Sequence, residues 1–291
     1  MPDARAPGNT ERPRGGPPDA RAPAGTERAR RGSSFGAVAG SYAQHRPDYA
    51  EAAVRWALAP VTSRRPLRVV DLGAGTGKLT AILVRVGADV TAVEPDPDML
   101  AELRRGLPAV RSLHGSAEDI PLPHHSADAV LAGQAMHWFD LDRAVPEIAR
   151  VLAPGGVVAG LWNVDDDRVG WVAELAEITG KSADITLNAW RDRLGRGRRE
   201  GLVTAGAGLF GTVETREFRH GQRRTADSLL ATIATHSAVL VMDEQERAGL
   251  LVRARDFLHS RPETSGGEFV LPMFTVVLRA LPAPRGDGTR S

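Results

Sequence analysis

Val69-Val-Asp-Leu-Gly-Ala-Gly-Thr-Gly77 is the stretch whose reading decides the fold. It begins in a short apolar run, Leu67 to Asp71, and ends in three glycines at alternate positions. Leu79, Ile82, Leu83 and Val86 follow at helical spacing. The pattern reads as strand, tight turn and helix. Alternating glycines let the backbone bend sharply and approach a ligand where a Cβ would not fit. In open α/β sheets ligands bind in the crevice beyond the carboxyl ends of the strands, where the strand order reverses. Spacing excludes two nucleotide loops. A dinucleotide fingerprint starting at Gly73 needs glycine at position 78, which is Lys78. A phosphate loop ending in Gly77-Lys78 needs glycine at 72 and Ser or Thr at 79, where Leu72 and Leu79 stand.

Outward from this turn the periodicity keeps alternating. A second strand, Asp89 to Val93, runs into Glu94-Pro-Asp-Pro-Asp98, where Asp96 is placed to cap a helix that opens at Pro97 and buries Leu100 and Leu103. Gly106 and Pro108 stop it. Further strands are expected at 110–114, 127–132 and 156–162, with a helix carrying Val145, Ile148 and Leu152 between the last two. This alternation predicts a parallel sheet covered by helices on both faces. After Asn163 the pattern becomes helix-rich: 169–179, a helix starting at Thr225, and one capped by Asp243 and Glu246. Strands are expected at 213–220 and 269–281, the second with an edge or bulge at Pro272.

The chain has 291 residues, 42% apolar and 25% charged, enough for a sizeable core. Lys plus Arg (37) against Asp plus Glu (36) leaves a formal charge of +1, so no global basic field exists to hold nucleic acid or an anionic membrane. The absence of cysteine removes disulfides, thiolate zinc sites and cysteine nucleophiles. No spanning helix or secretory signal is expected, and cytoplasmic residence follows as the default. Pro2 to Gly32 contains no Val, Ile, Leu, Phe, Trp or Tyr, and Pro2 to Pro7 returns as Pro18 to Pro23. Residues 1–33 and 282–291 read as low-complexity tails that cannot offset the entropy of ordering. The folded domain is then 34–281, with a ligand-binding half over about 34–165 and covering helices and closing strands over about 166–281.

Further residues bear on chemistry. Glu94 ends the second strand, where a carboxylate can accept from both hydroxyls of a ribose. His137 has the unperturbed pKa nearest neutrality among the candidates. It can serve as a base, or order its loop by hydrogen bonding. His124-His125 lacks further ligands at metal spacing, so no metal is expected.

The glycine turn with Glu94, Asp98-Met99, Gly115-Ser-Ala-Glu-Asp-Ile-Pro121 and Leu152-Ala-Pro-Gly-Gly-Val157 resembles the motifs of class I S-adenosylmethionine-dependent methyltransferases. Gln134-Ala-Met-His-Trp-Phe-Asp140, Phe35 to Tyr49 and Leu161-Trp-Asn163 are similar to a small-molecule branch that includes trans-aconitate methyltransferase-like proteins. The likeness runs from about 34 to 165. It implies an α/β, Rossmann-like, seven-stranded and mostly parallel sheet with a C-terminal antiparallel hairpin. S-adenosyl-L-methionine is the implied cofactor. The contacts it implies for that cofactor are Tyr42, Arg46, Asp71, Gly73, Ala74, Gly75, Gly77, Glu94, Pro95, Met99, Ala117, Glu118 and Gln134, with His137 as the catalytic candidate. Tyr42 and Arg46 would close over the cofactor carboxylate, or else pack at the helix entry. Met99 would face the adenine, or else the core. The implied partner is a small organic methyl acceptor, selected by Phe35 to Tyr49, Trp138, Trp162 and the helices after Val169, with no nucleic acid or membrane; no oligomeric state is assigned. A nicotinamide oxidoreductase and a non-catalytic cofactor-binding protein are the rival readings.

Overall fold

A computed structural model describes residues 48–62, 66–180, 187, 191 and 209–282 of the chain. The low-complexity tails expected at 1–33 and 282–291, apart from Pro282, which ends the last strand instead, and the Arg-rich stretch near 181–201 apart from 187 and 191, lie outside the described residues. Seven strands are described: β1 (Arg68–Leu72), β2 (Asp89–Glu94), β3 (Arg111–His114), β4 (Ala127–Gly133), β5 (Leu152–Asp165), β6 (Phe210–Thr225) and β7 (Glu268–Pro282). They form one sheet in the order β3-β2-β1-β4-β5-β7-β6. Pairing is parallel from β3 through β5, whereas β7 runs antiparallel to both β5 and β6. The order reverses at β1, which has β2 on one side and β4 on the other. The carboxyl ends of β1 and β4 therefore flank a crevice.

The alternation read from sequence places Val69 and Asp71 on one face of β1 and Val70 and Leu72 on the other. The first face carries α1 (Glu51–Leu58) and α2 (Lys78–Arg85), whose Val54, Leu58, Ile82 and Leu83 pack with Val69, Ala129 and Leu161. The second carries α4 (Leu141–Val151), whose Val145 and Ile148 pack with Val70, Leu72 and Val130. Between them in sequence, α3 (Pro97–Gly106) opens as expected: the Asp96 side chain accepts from the N–H groups of Asp98 and Met99, and Pro97 is the first helical residue. Each buried leucine or isoleucine in these layers contributes roughly 1.5–3 kcal/mol.

Beyond β5, helices α5 (Gly170–Ile178), α6 (Ala226–Ala234), α7 (Ser237–Leu240) and α8 (Glu244–Ser260) form a third apolar cluster with Phe269, Leu271 and Met273 of β7. None of the helices among the described residues is long and apolar enough to cross a membrane.

The structure differs from the sequence reading in four places. The closing pair is antiparallel, but no turn joins it. Thr225 ends β6 and simultaneously caps α6, exchanging hydrogen bonds with Ser228, so three helices occupy the tip before the chain returns at Glu268 opposite Thr225. Leu152 belongs to β5 rather than to the preceding helix. The run Pro154-Gly155-Gly156 cannot continue a helix and forms a bulge, with Ala127 facing Leu152 and Ala129 facing Val157. Pro272 lies on an interior strand, not an edge. It sits where the ladder with β5 runs out: pairing ends at Asp165 and Met273, and one last backbone bond runs from the Asp166 N–H to Pro272 O at 3.0 Å, which uses the carbonyl and not the nitrogen of the proline. The cap expected at Asp243 is one-sided, with Asp243 Oδ1 accepting from the Glu246 N–H at 2.8 Å.

Gly77, the N-cap of α2, has φ 89°, and a Cβ there would meet Leu107 Cδ1 at 3.0 Å and Leu103 Cγ at 3.1 Å. Gly77→Ala is therefore expected to destabilise the protein by about 1–3 kcal/mol in urea unfolding. A loss below that range would mean that the loop and α3 relax together at little cost.

Candidate functional site

The crevice is built from the last residues of β1, β2 and β4. Where β1 ends, the chain turns through Gly73, Gly75 and Gly77, with φ values of 69°, 56° and 89°. The first of these is also sterically obligatory, since a Cβ on Gly73 would lie 2.7 Å from that of Ala135. The N–H groups of Gly73 and Ala74 both donate to Val93 O, at 2.8 and 3.1 Å, tying the turn to β2. Above Gly75 the nearest atom is Met99 Sδ, 3.7 Å from where a Cβ would be.

Glu94 closes the arrangement. Its Oε2 accepts from the Gly75 N–H at 2.7 Å and its Oε1 from the Asp96 N–H at 2.9 Å. It is buried, and burial raises its pKa against the opposing pull of these two amides. Asp71 lies beneath the turn, fully buried, with Oδ2 accepting from the Thr80 hydroxyl at 2.5 Å and no partner on Oδ1 among the described residues. Desolvation pushes its pKa up to about 7; the Thr80 hydroxyl opposes this and the Glu94 charge adds to it.

The remaining expected residues distribute around this cradle. Pro95 is exposed at the rim. Met99 is buried and packs with Trp138 and with Leu240 of α7, so the helices inserted at the tip of the closing pair reach back over the crevice. Ala117 is buried, while Glu118 Oε1 accepts from the Asp140 N–H at 2.9 Å, joining the loop after β3 to the start of α4. Gln134 follows β4 at φ 53°, held by its N–H to Leu161 O at 2.8 Å and its Nε2 to Asn163 O at 3.0 Å. His137 occupies the 3₁₀ turn Met136–Trp138, half-buried, its ring centroid 4.8 Å from that of Trp138. Tyr42 and Arg46 lie outside the described residues. Trp162 does not line the crevice as the sequence reading expected. It is buried in the core beside α4, with the Cβ-free Gly160 against its ring. No group of metal-ligating side chains occurs among the described residues.

Sequence reasoning missed a polar network along the far side of the crevice. Asn163 donates from Nδ2 to Asp48 O at 3.2 Å and accepts on Oδ1 from the Thr275 hydroxyl at 2.7 Å. Thr275 Oγ1 also accepts from the Ala50 N–H at 2.9 Å and lies 3.1 Å from His220 Nε2. Asp48 in turn pairs with Lys78 at 3.2 Å. The segment before α1 is thereby fastened across β5, β7 and α2. Isolated polar residues on three distant strands carry no local signal; only the register brings them together.

A family model described as "Methyltransferase domain" matches residues 70–160. An uncharacterized methyltransferase of Mycobacterium tuberculosis is 43% identical over 248 residues, covering 85% of this chain and 95% of that protein. A solved structure from Anaeromyxobacter dehalogenans, described as a type II methyltransferase, is 25% identical with a TM-score of 0.53, covering 82% of this chain and 97% of the other. One from Anabaena variabilis, described as a methyltransferase of an antibiotic biosynthesis pathway, has a TM-score of 0.55 at 20% identity and covers 80% and 98%. The last is a likeness of fold alone.

With its folded pKa about 7 against an ordinary 3.8, Asp71 keeps its proton in the native state at pH values where the unfolded chain has released it. Its contribution is complete below about pH 4 and is lost as pH rises through about 7, so stability falls across that window. Asp71→Asn, neutral throughout, is expected to gain stability relative to the parent on going from pH 5 to 8, by up to ~1.4 kcal/mol for each step of one in pH below about 7. Urea unfolding at several pH values checks this, and parallel curves would mean that Asp71 is ionised throughout.

Proposed function

The chain belongs to the class I S-adenosylmethionine-dependent methyltransferases, and on that premise we propose that its crevice methylates a small organic acceptor. It is an enzyme that uses S-adenosylmethionine as methyl donor. In our reading the donor lies across Gly73, Ala74, Gly75 and Gly77 above Asp71, its ribose at Glu94 and Pro95 and its adenine between Met99 and the Ala117-Glu118 loop. Gln134 lies beside the reacting end, and Tyr42 and Arg46 come from the segment before Tyr49.

One observation carries this assignment: the Gly75 N–H is already bonded to the Glu94 carboxylate. A dinucleotide site offers its glycine-loop amides to a pyrophosphate. Here a buried carboxylate takes that amide and would repel a phosphate brought to the same point. Each oxygen of Glu94 receives one backbone amide and retains lone pairs for ribose hydroxyls. The cradle therefore fits a phosphate-free nucleoside, and the rival nicotinamide reading loses its main contact.

When bound, the donor supplies a methyl group already activated on a sulfonium. The chain's own contribution is alignment and enclosure. Met99, Trp138 and Leu240 form an apolar wall that excludes water, and through Leu240 the α5–α8 helices reach over the crevice. This supports dividing the domain into a donor-binding half and a covering half near residue 165. His137 keeps two roles, proton acceptor or loop anchor. His137→Gln with intact donor binding and slowed turnover supports the first.

Glu94→Gln retains one acceptor oxygen but turns an NH2 toward one of the two amides. Its affinity for S-adenosylhomocysteine by calorimetry is expected to fall by about 1.5–3 kcal/mol, roughly ten- to more than a hundredfold. The parent is expected to bind S-adenosylhomocysteine and not NADH; the reverse would overturn the proposal. Incubation with methyl-labelled donor and a metabolite panel is expected to label a small molecule. Label found only on nucleic acid or protein would remove the small-acceptor reading.

A further inference from the structure

We infer that His220 and Gln222 form a hydrogen-bond-accepting subsite on the acceptor side of the crevice, which takes a hydroxyl or amine of the methyl acceptor rather than a carboxylate. This rests on the methyltransferase reading above and names the chemistry that its second substrate presents.

The register places the residues. Asn163, Thr275 and Phe218 face one another across β5, β7 and β6, and Asp165, Met273 and His220 form the next row. Directly opposed residues of an antiparallel pair share a face, as do alternate residues along a strand. Asp165, His220, Gln222 and Arg224 therefore lie on the same face as Asn163. They stand at or beyond the level where β5 ends, on the ribbon of β6 and β7 that rises above the carboxyl edge of the sheet. Leu271, Met273 and Phe269 on that face are covered by the α5–α8 cluster, whereas Val270, Arg219 and Arg223 on the opposite face are exposed. The polar row on β6 is thus turned toward the protein and bordered by apolar helices.

Hydrogen counting fixes the histidine tautomer. Asn163 must direct Nδ2 to Asp48 O, because its Oδ1 would face another acceptor there. Its Oδ1 therefore meets Thr275 and takes the single hydroxyl proton of that residue. Thr275 Oγ1 has only lone pairs left, one for the Ala50 N–H and one for His220. His220 must donate from Nε2, which leaves Nδ1 as a bare acceptor; Nδ1 makes no hydrogen bond among the described residues. Burial lowers the pKa of the ring, against the pull of the Asp48 carboxylate, so the neutral form is favoured. Two positions along the same face, Gln222 Oε1 is a buried acceptor with no partner among the described residues. Both groups ask for a proton donor.

Charge does not override this preference. Among the described residues, the charged groups facing the row are Asp48, Asp165 and Arg224. The carboxylate of Asp48 is paired with Lys78, and the buried Arg224 is opposed by both Asp165 and Asp48. The face is close to neutral, and directional acceptors decide what it binds. A ligand carboxylate would meet two lone pairs, and the one guanidinium of the row, Arg224, is already opposed by Asp165 and Asp48. An amine has protons for both Nδ1 and Oε1, and a hydroxyl has one proton to give to either of them.

The test uses the full chain with histidine labelled in 15N, saturated with S-adenosylhomocysteine. Long-range 1H–15N spectra are expected to show His220 as the Nε2–H tautomer at neutral pH. Its Nδ1 resonance is expected to move on titration with ethanolamine and not with propionate. His220→Asn, which keeps an acceptor near Nδ1, is expected to retain ethanolamine binding, and His220→Gln, which keeps only the donor toward Thr275, to lose it; both should keep the parent affinity for S-adenosylhomocysteine. An Nδ1–H tautomer, a cationic ring, a response to propionate alone, or no response to either probe overturns the subsite. Failure of the parent to bind S-adenosylhomocysteine counts instead against the methyltransferase reading of the crevice.

Discussion

The N–H of Gly75 has one strong acceptor, and it is the carboxylate at the end of the neighbouring strand. That bond requires Gly75 to sit in the left-handed region, which brings its amide round to face β2, and it requires Glu94 to be the last residue of β2 rather than one earlier or later. A one-residue slip would turn the side chain to the other face of the sheet. The pairing of Gly73 and Ala74 with Val93 O holds the register that makes the contact possible. The ligand surface is therefore a consequence of how β1 and β2 are aligned, and the alignment is fixed by the core beneath it.

A comparable dependence governs the opposite side. Asn163 is the node at which Gln134, the segment before α1 and the C-terminal strand pair meet, using its backbone carbonyl, its amide nitrogen and its amide oxygen for three different partners. An aspartate there would keep the oxygen contacts and lose the donor to Asp48; a serine would not reach. The acceptor side of the crevice is thus coupled to the donor side through a single residue, its backbone carbonyl serving Gln134 and its side chain the other two partners. The helices inserted between β6 and β7 add a second link, since Leu240 reaches Met99 and Trp138.

Much of this is legible in the amino-acid order alone. The glycine turn, the Asp96 cap with Pro97, and the alternation up to Trp162 are local patterns, and each follows from a few consecutive residues. Element limits fail where two local rules compete. At Leu152 the apolar helical spacing of α4 gives way to Pro154-Gly155-Gly156. At Thr225 the strand ends because its last residue is also a helix cap. The network of Asn163, Thr275 and His220 is illegible because its members are single polar residues far apart in the chain, on strands whose order does not follow the sequence. Trp162 misleads for the converse reason: an aromatic residue near the end of a strand is equally at home in the wall of a site or in the core, and only the position of Gly160 and α4 separates the two.

The electrostatics of the crevice floor point the same way as its shape. Asp71 and Glu94 are both buried, each has its pKa raised first by desolvation, and the charge of Glu94 raises that of Asp71 further. The nearby cation, Lys78, is directed away to Asp48. With Asp71 holding its proton below about pH 7, the Glu94 carboxylate sets the field: it repels an anion and stabilises a cation, because low local polarizability strengthens both effects. A donor carrying a sulfonium and an ammonium group fits that field, whereas a pyrophosphate would set its negative charges against the Glu94 carboxylate that already holds the loop amide. The missing glycine at position 78 and the negative floor are therefore one constraint seen twice: the chain gives up the amides that would hold phosphate and uses a carboxylate to order the loop instead.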